Sequence, residues 1–105
     1  MATIIEATKE SFETEVLGSA VPVLVDFNAE WCGPCRAMKP VLEEIAAGEP
    51  DFKIVSVNID DEDELAEEYD VSSIPCLVVF DGGKEIDRSV GLIPKDEILS
   101  LMELK

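Results

Sequence analysis

The chain has 105 residues, 47% of them apolar, with 24 acidic against 8 basic side chains and a formal net charge of −16. That length and apolar share suit one domain with a single real core, while the acidic balance excludes a nucleic-acid footprint and attachment to an anionic membrane, both of which need basic faces. No run approaches the roughly 18 apolar residues of a membrane span and no basic-then-apolar leader opens the chain, so the expectation is a soluble, cytoplasmic monomer.

Taken in order, Ile4-Ile5 makes a short first strand. Thr8 can cap a helix through Phe12, Val16 and Leu17, with Gly18 as its stop. Val21 to Phe27 is apolar on both alternating faces, as a central buried strand should be, and Pro22 sits at its start, where a missing donor is tolerated. A second helix begins around Pro34 or Cys35. Its Met38, Val41, Leu42 and Ile45 recur at helical spacing and should face the sheet, Pro40 should kink it, and Gly48 and Pro50 end it. Phe52 to Ile59 predicts another buried strand. Asp60 to Asp63 open a short helix with Leu65, Ala66 and Tyr69 inward. Leu77 to Phe80 and Glu85 to Val90 flank Asp81-Gly82-Gly83-Lys84, a hairpin turn. Pro94 starts the last helix, with Ile98, Leu99, Leu101 and Met102 toward the core. The order β-α-β-α-β-α-β-β-α predicts one α/β domain over 1–105, a mixed sheet with helices on both faces.

The chemistry concentrates in Trp31-Cys32-Gly33-Pro34-Cys35, where a buried strand ends and a helix begins. On a first helical turn, residues i and i+3 share a face, which brings two Cα atoms near the roughly 5.5–6 Å a disulfide prefers. The partial positive charge of the helix N-terminus favours thiolate over thiol. Pro34 suits the first turn, and Gly33 allows the tight change of direction. A zinc site usually needs four Cys or His ligands; this chain has no His and only one further cysteine. A staple disulfide contributes most when it closes a long loop, not a four-residue ring. A redox pair is therefore the favoured reading.

Val25-Asp26-Phe27-x-Ala29-Glu30-Trp31-Cys32-Gly33-Pro34-Cys35 resembles the active-site signature of the thioredoxin family, and Ile74-Pro75 and Val90-Gly91 match at about the family's spacing. The resemblance covers essentially the whole chain. It implies the thioredoxin fold, with five strands and four helices, and a protein-disulfide reductase that needs no cofactor or metal. It also implies partners: disulfide-containing client proteins and a thioredoxin reductase that restores the dithiol. Cys32, with Arg36 and Lys39 as nearby cations, is the expected nucleophile at the exposed edge of the turn, and Cys35 the resolving thiol.

Asp26 is the expected proton acceptor for Cys35, because burial raises a carboxyl's pKa toward the range of a useful base. A buried Asp that is merely hydrogen-bonded is the plainer alternative. The family often places a Lys on the neighbouring strand; the matching position is Ser56 or one residue away, and Lys53 would have to reach along the strand. Without a cation, Asp26 should be harder to ionise than in typical relatives. Asn28 stands where the family usually has a second Trp. Pro75 is expected to be cis, exposing the backbone of Ile74 so that an extended substrate can pair with it. Trp31, Ile74, Pro75, Gly91 and Leu92, beside Gly33 and Pro34, are expected to form the substrate-binding rim, with Trp31 packed against Asp60 or Asp61.

Cys76, where the family commonly has Thr, is read as a small buried residue opening a strand; a thiol beside the active site is the alternative. The acidic stretch Asp60 to Glu64 lacks the Gly of a calcium loop and reads as a solvated helix start. Three rival functions are a disulfide oxidase or isomerase on the same scaffold, a non-catalytic assembly subunit, and a metal or cluster site using Cys32, Cys35 and Cys76.

Overall fold

A computed structural model describes residues 4–103. Five strands form one sheet: β1 (Ile5–Glu6), β2 (Val23–Asn28), β3 (Lys53–Asn58), β4 (Cys76–Asp81) and β5 (Lys84–Val90). Their order across the sheet is β1-β3-β2-β4-β5. The first three run parallel, and β4 and β5 are antiparallel to their neighbours. Four helices flank it, α1 (Lys9–Phe12), α2 (Gly33–Ala47), α3 (Asp63–Glu68) and α4 (Lys95–Leu101). The expected α/β class, mixed sheet and element order are all present.

β2 is central because every one of its first five side chains is buried, and a strand covered on both faces can afford no polar alternation. Val23, Val25 and Phe27 enter a core with Phe12, Val16, Val55, Val57, Val78 and Phe80. Leu24 enters another, with Met38, Leu42, Ile45, Ile54, Leu77, Val79 and Ile98. The β4–β5 turn consists of Gly82 and Gly83 at φ 61° and 82°, the left-handed pair a two-residue hairpin requires.

Several boundaries differ from expectation, each for a local reason. Thr8 caps α1 with a full capping box to Ser11, but from Glu13 to Leu17 the helix winds as a π-helix. Gly18 N–H bonds Glu13 C=O at 2.7 Å, and Lys53 Nζ caps the end through Glu15 C=O at 2.7 Å, a cation at a helix C-terminus. Val21 is exposed and its backbone is tied into a turn by the Ser19 hydroxyl, so β2 starts at Val23. Helix α2 runs through Pro40 and already begins at Gly33. Leu99, expected in the core, is 40% exposed; a seven-residue helix buries only the narrow i, i+3, i+4 stripe of Ile98, Leu101 and Met102.

Candidate active site

The site grows from the C-terminal end of β2. After Ala29 the chain turns, with Cys32 N–H donating to Ala29 C=O at 3.2 Å. Cys32 is extended (φ −84°, ψ 111°) and caps α2. Its carbonyl accepts Arg36 N–H at 3.1 Å and its Sγ accepts Cys35 N–H at 3.2 Å. No acidic side chain occupies the first turn of α2, so no carboxylate there competes for the helix N-terminus. Pro34 falls in that turn, where its missing N–H breaks no bond. Cys32 and Cys35 are joined as a disulfide across a Cα–Cα distance of 5.2 Å.

The expected exposed edge is corrected by this geometry. Cys32 and Cys35 are 5% and 6% exposed and pack with Ala29, with Ile59 and Ile74 against them. In the disulfide Cys32 Sγ is bonded to Cys35 Sγ, and the two isoleucines pack against the cluster that holds the pair. Ile59 was expected only as the last residue of a buried strand; β3 ends at Asn58 and Ile59 packs against the disulfide cluster instead. The Arg36 guanidinium donates to Glu30 C=O at 2.6 Å, which ties α2 to the loop before Cys32.

Around the pair, Trp31 is 65% exposed and its Nε1–H donates to Asp60 Oδ2 at 2.8 Å. Asp60 N–H in turn bonds Asn58 Oδ1 at 2.8 Å, so the end of β3 holds the ring in place. The Ile74–Pro75 bond is cis. Gly91, at φ 100°, donates its N–H to Pro75 C=O at 2.8 Å. That bond joins the end of β5 to the proline loop, and a positive φ here favours glycine. Leu92 beyond it is exposed. Pro75 itself is buried, so of the expected rim its apolar surface is carried by Trp31, Ile74 and Leu92.

Asp26 is the one buried charged residue among those described. Alternation along β2 puts it on the face of Leu24, and its register partners are Ser56 on β3 and Leu77 on β4. Met38 and Leu42 of α2 pack with Leu24 on this face, and Cys35 lies one turn before Met38 on the same helix. Burial pushes the Asp26 carboxyl up to about 6, opposed by a hydrogen bond from Asn28. Lys53 points to Glu15 at the other end of β3 and does not reach it.

Cys76 opens β4, buried, and packs in the cluster of Phe27 and Phe80, apart from the cluster holding the disulfide. Burial raises its thiol pKa, which makes it a poor nucleophile. Among the described residues, no group of three or more His, Cys, Asp or Glu side chains is placed to hold a metal.

A parallel-centred sheet whose middle strand delivers a closed C-x-x-C pair to a helix N-terminus defines a dithiol–disulfide oxidoreductase. Comparison with known proteins agrees. The thioredoxin family model matches residues 3–104. The chain is 45% identical over 104 residues to thioredoxin 1 of Nostoc sp., covering 98% of this chain and 97% of that protein. It is 47% identical over 95 residues to thioredoxin of Chlamydia trachomatis, covering 90% and 91%. It is 46% identical over 95 residues to the chloroplastic M-type thioredoxin of Chlamydomonas reinhardtii, covering 90% and 68%. The chain belongs to the thioredoxin family, and membership implies disulfide-containing protein clients.

Proposed function

We propose that the protein is a protein-disulfide reductase, a single domain over 1–105, in which Cys32 attacks and Cys35 resolves. The observation that carries this reading is Cys32 Sγ held as the acceptor of Cys35 N–H at the start of α2, where amide dipoles stabilise a thiolate. In the dithiol state, Cys32 Sγ⁻ attacks one sulfur of a client disulfide. A Cys32–client bond forms and the other client sulfur leaves as thiolate. Cys35 then gives its proton to Asp26, whose raised pKa lets it accept near neutrality. The Cys35 thiolate attacks Cys32 Sγ, the 32–35 disulfide closes, and the second client sulfur departs and takes a proton from solvent. Two electrons have passed to the client.

Trp31, Gly33, Pro34, Ile74, Gly91 and Leu92 form the docking surface, with the buried Pro75 fixing the cis turn beneath it and an extended client segment pairing against the backbone of Ile74. A thioredoxin reductase restores the dithiol. The protein works as a cytoplasmic monomer, in a compartment where thiols stay reduced; among the described residues no helix is long and apolar enough to cross a membrane.

Insulin reduction with a dithiol reductant, followed by turbidity, tests the reading. Wild type should accelerate precipitation, Cys32→Ser should show no acceleration, and Cys35→Ser should accumulate a mixed disulfide at Cys32. Reduction surviving in Cys32→Ser would defeat the mechanism. A measured reduction potential separates a reductase from an oxidase or isomerase.

A further inference from the structure

The carboxylate of Asp26 is unevenly served. Among the described residues Oδ1 is buried with no hydrogen-bond partner, while Oδ2 accepts from Asn28 Nδ2 at 3.3 Å. Asn28 lies two residues along β2, on the same face. Its amide group also donates to Asp26 C=O at 2.9 Å and to Ser56 Oγ at 2.7 Å. The shortest of the three contacts is to Ser56, directly across from Asp26 in the parallel pairing. Ser56 therefore anchors an amide whose remaining donor capacity is spent on Asp26.

We propose that Asn28 is a positioning residue for proton transfer, its amide braced by Ser56 so that Asp26 is held through Oδ2 and left with Oδ1 free to take the Cys35 proton. This rests on the reading of Asp26 as proton acceptor given above. A neutral amide supplies here what a cation would otherwise supply. It favours the ionised carboxylate against burial, and it does so without a positive charge that would also favour a Cys35 thiolate independently of Asp26. The direction agrees with the hydrogen bond lowering a pKa that burial raises.

The other groups around Asp26 do not fill this role. On β3, Ser56 is uncharged and Lys53 is bonded to Glu15. On β4, Leu77 is apolar, and the neighbouring Cys76 thiol is pushed up chiefly by burial, with Arg88 of β5 opposing and the Glu85 and Asp26 charges adding to it. From α2, Cys35 lies one turn before Met38, which packs with Leu24 on this face, and it is the proton donor in the proposed mechanism.

Stopped-flow mixing of the reduced protein with Ellman's reagent reads the two sulfur steps separately. The first thionitrobenzoate is released by Cys32 and the second by Cys35 closing the disulfide. In wild type the second phase should rise with pH around a midpoint near the Asp26 value of about 6. Asn28→Leu and the smaller Asn28→Ala should move that midpoint upward by about one pH unit. The second phase then slows about fivefold at pH 6, about twofold at pH 7 and not at all above about pH 8.5. Ser56→Ala should shift the midpoint the same way by less. The Asp26 carboxyl carbon, followed by NMR titration in the same variants, should shift in parallel.

Asn28 variants with wild-type midpoints in both measurements would overturn the proposal, while Asp26→Asn losing the midpoint keeps the underlying reading. If Asp26→Asn retains the wild-type profile, the reading of Asp26 fails and the proposal with it. The NMR titration then still reports whether Asn28 tunes the carboxyl. A merely structural Asn28 would slow both phases equally at all pH values, which also counts against the proposal.

Discussion

On one face of the sheet, Phe12, Tyr69 and Phe80 meet ring to ring at centroid distances of 5.3 to 5.8 Å, two of the pairs edge-on, and every fully buried neighbour is apolar or Cys76. On the other, α2 and α4 cover aliphatic side chains, and the Asp26 carboxylate lies on that face with one oxygen that has no partner among the described residues. The same strand builds both, since Val25 and Phe27 alternate with Leu24 and Asp26. The difference teaches where such a domain places its costs. The aromatic face carries packing alone, and the uncompensated polar group lies under the helix that holds the disulfide, where a proton acceptor has a use.

Breaking the aromatic face should have the largest effect. Phe80→Ala removes a ring buried against Phe12 and Tyr69 and should cost about 3–5 kcal/mol of unfolding free energy, read by urea denaturation. Disulfide exchange by the folded fraction should be unchanged. A cost below about 1 kcal/mol would mean the face collapses around the gap and is not the stabilising half.

The opposite face should respond with the opposite sign. The Asp26 carboxyl titrates at about 6 in the folded protein against an ordinary value of 3.8. The folded state therefore holds more protons between those pH values. This group's contribution to stability is full below about 3.8, falls as pH rises and levels off above about 6. The gap is equivalent to about 3 kcal/mol. Asp26→Asn should therefore gain on wild type by about that much between pH 3.5 and 7, measured as the pH dependence of the urea midpoint, while losing speed in the resolving step. A constant difference across that range would show that the carboxyl is not held up by burial.

The smallest effect sharpens the comparison at its margin. A Cβ on Gly83 would stand 2.9 Å from Leu17 C=O, the end of the π-helix over the aromatic face, whereas nothing lies within 4 Å of one on Gly82. Gly83→Ala should cost about 2–3 kcal/mol and Gly82→Ala about 1 kcal/mol, seen as a difference in Tm. Equal costs would assign both to backbone conformation and none to the contact.

Much of this architecture was legible in the sequence because its signals are periodic or local. The apolar run of β2, the helical spacing of Met38, Leu42 and Ile45, the Thr8 cap and the Gly82-Gly83 hairpin each declare themselves within a few residues. Ser56 was legible as the neighbour of Asp26, to within one residue, through the family resemblance alone, and the parallel register then sets it directly opposite. Other features depend on distant partners. The π-helical winding ends on a lysine from β3, and Leu99 loses its place because α4 is too short to bury a wide stripe. Ile59 and Ile74 pack against the disulfide cluster; the motif at Ile74-Pro75 marked Ile74 for the rim and not for this contact, and no motif marks Ile59. Asn28 reads in sequence only as a missing tryptophan. Its hydrogen bonds need an i+2 neighbour and a cross-strand hydroxyl at once, and neither is visible one residue at a time.

The near-complete enclosure of the Cys32–Cys35 bond sets a shape filter on whatever trades electrons with it. A thiol set flush in a blunt, rigid surface cannot bring its sulfur up to a disulfide whose two cysteines are 5% and 6% exposed. A slender, pliable loop can thread in, which makes local looseness in the visiting chain, as much as its redox appetite, the ticket of entry.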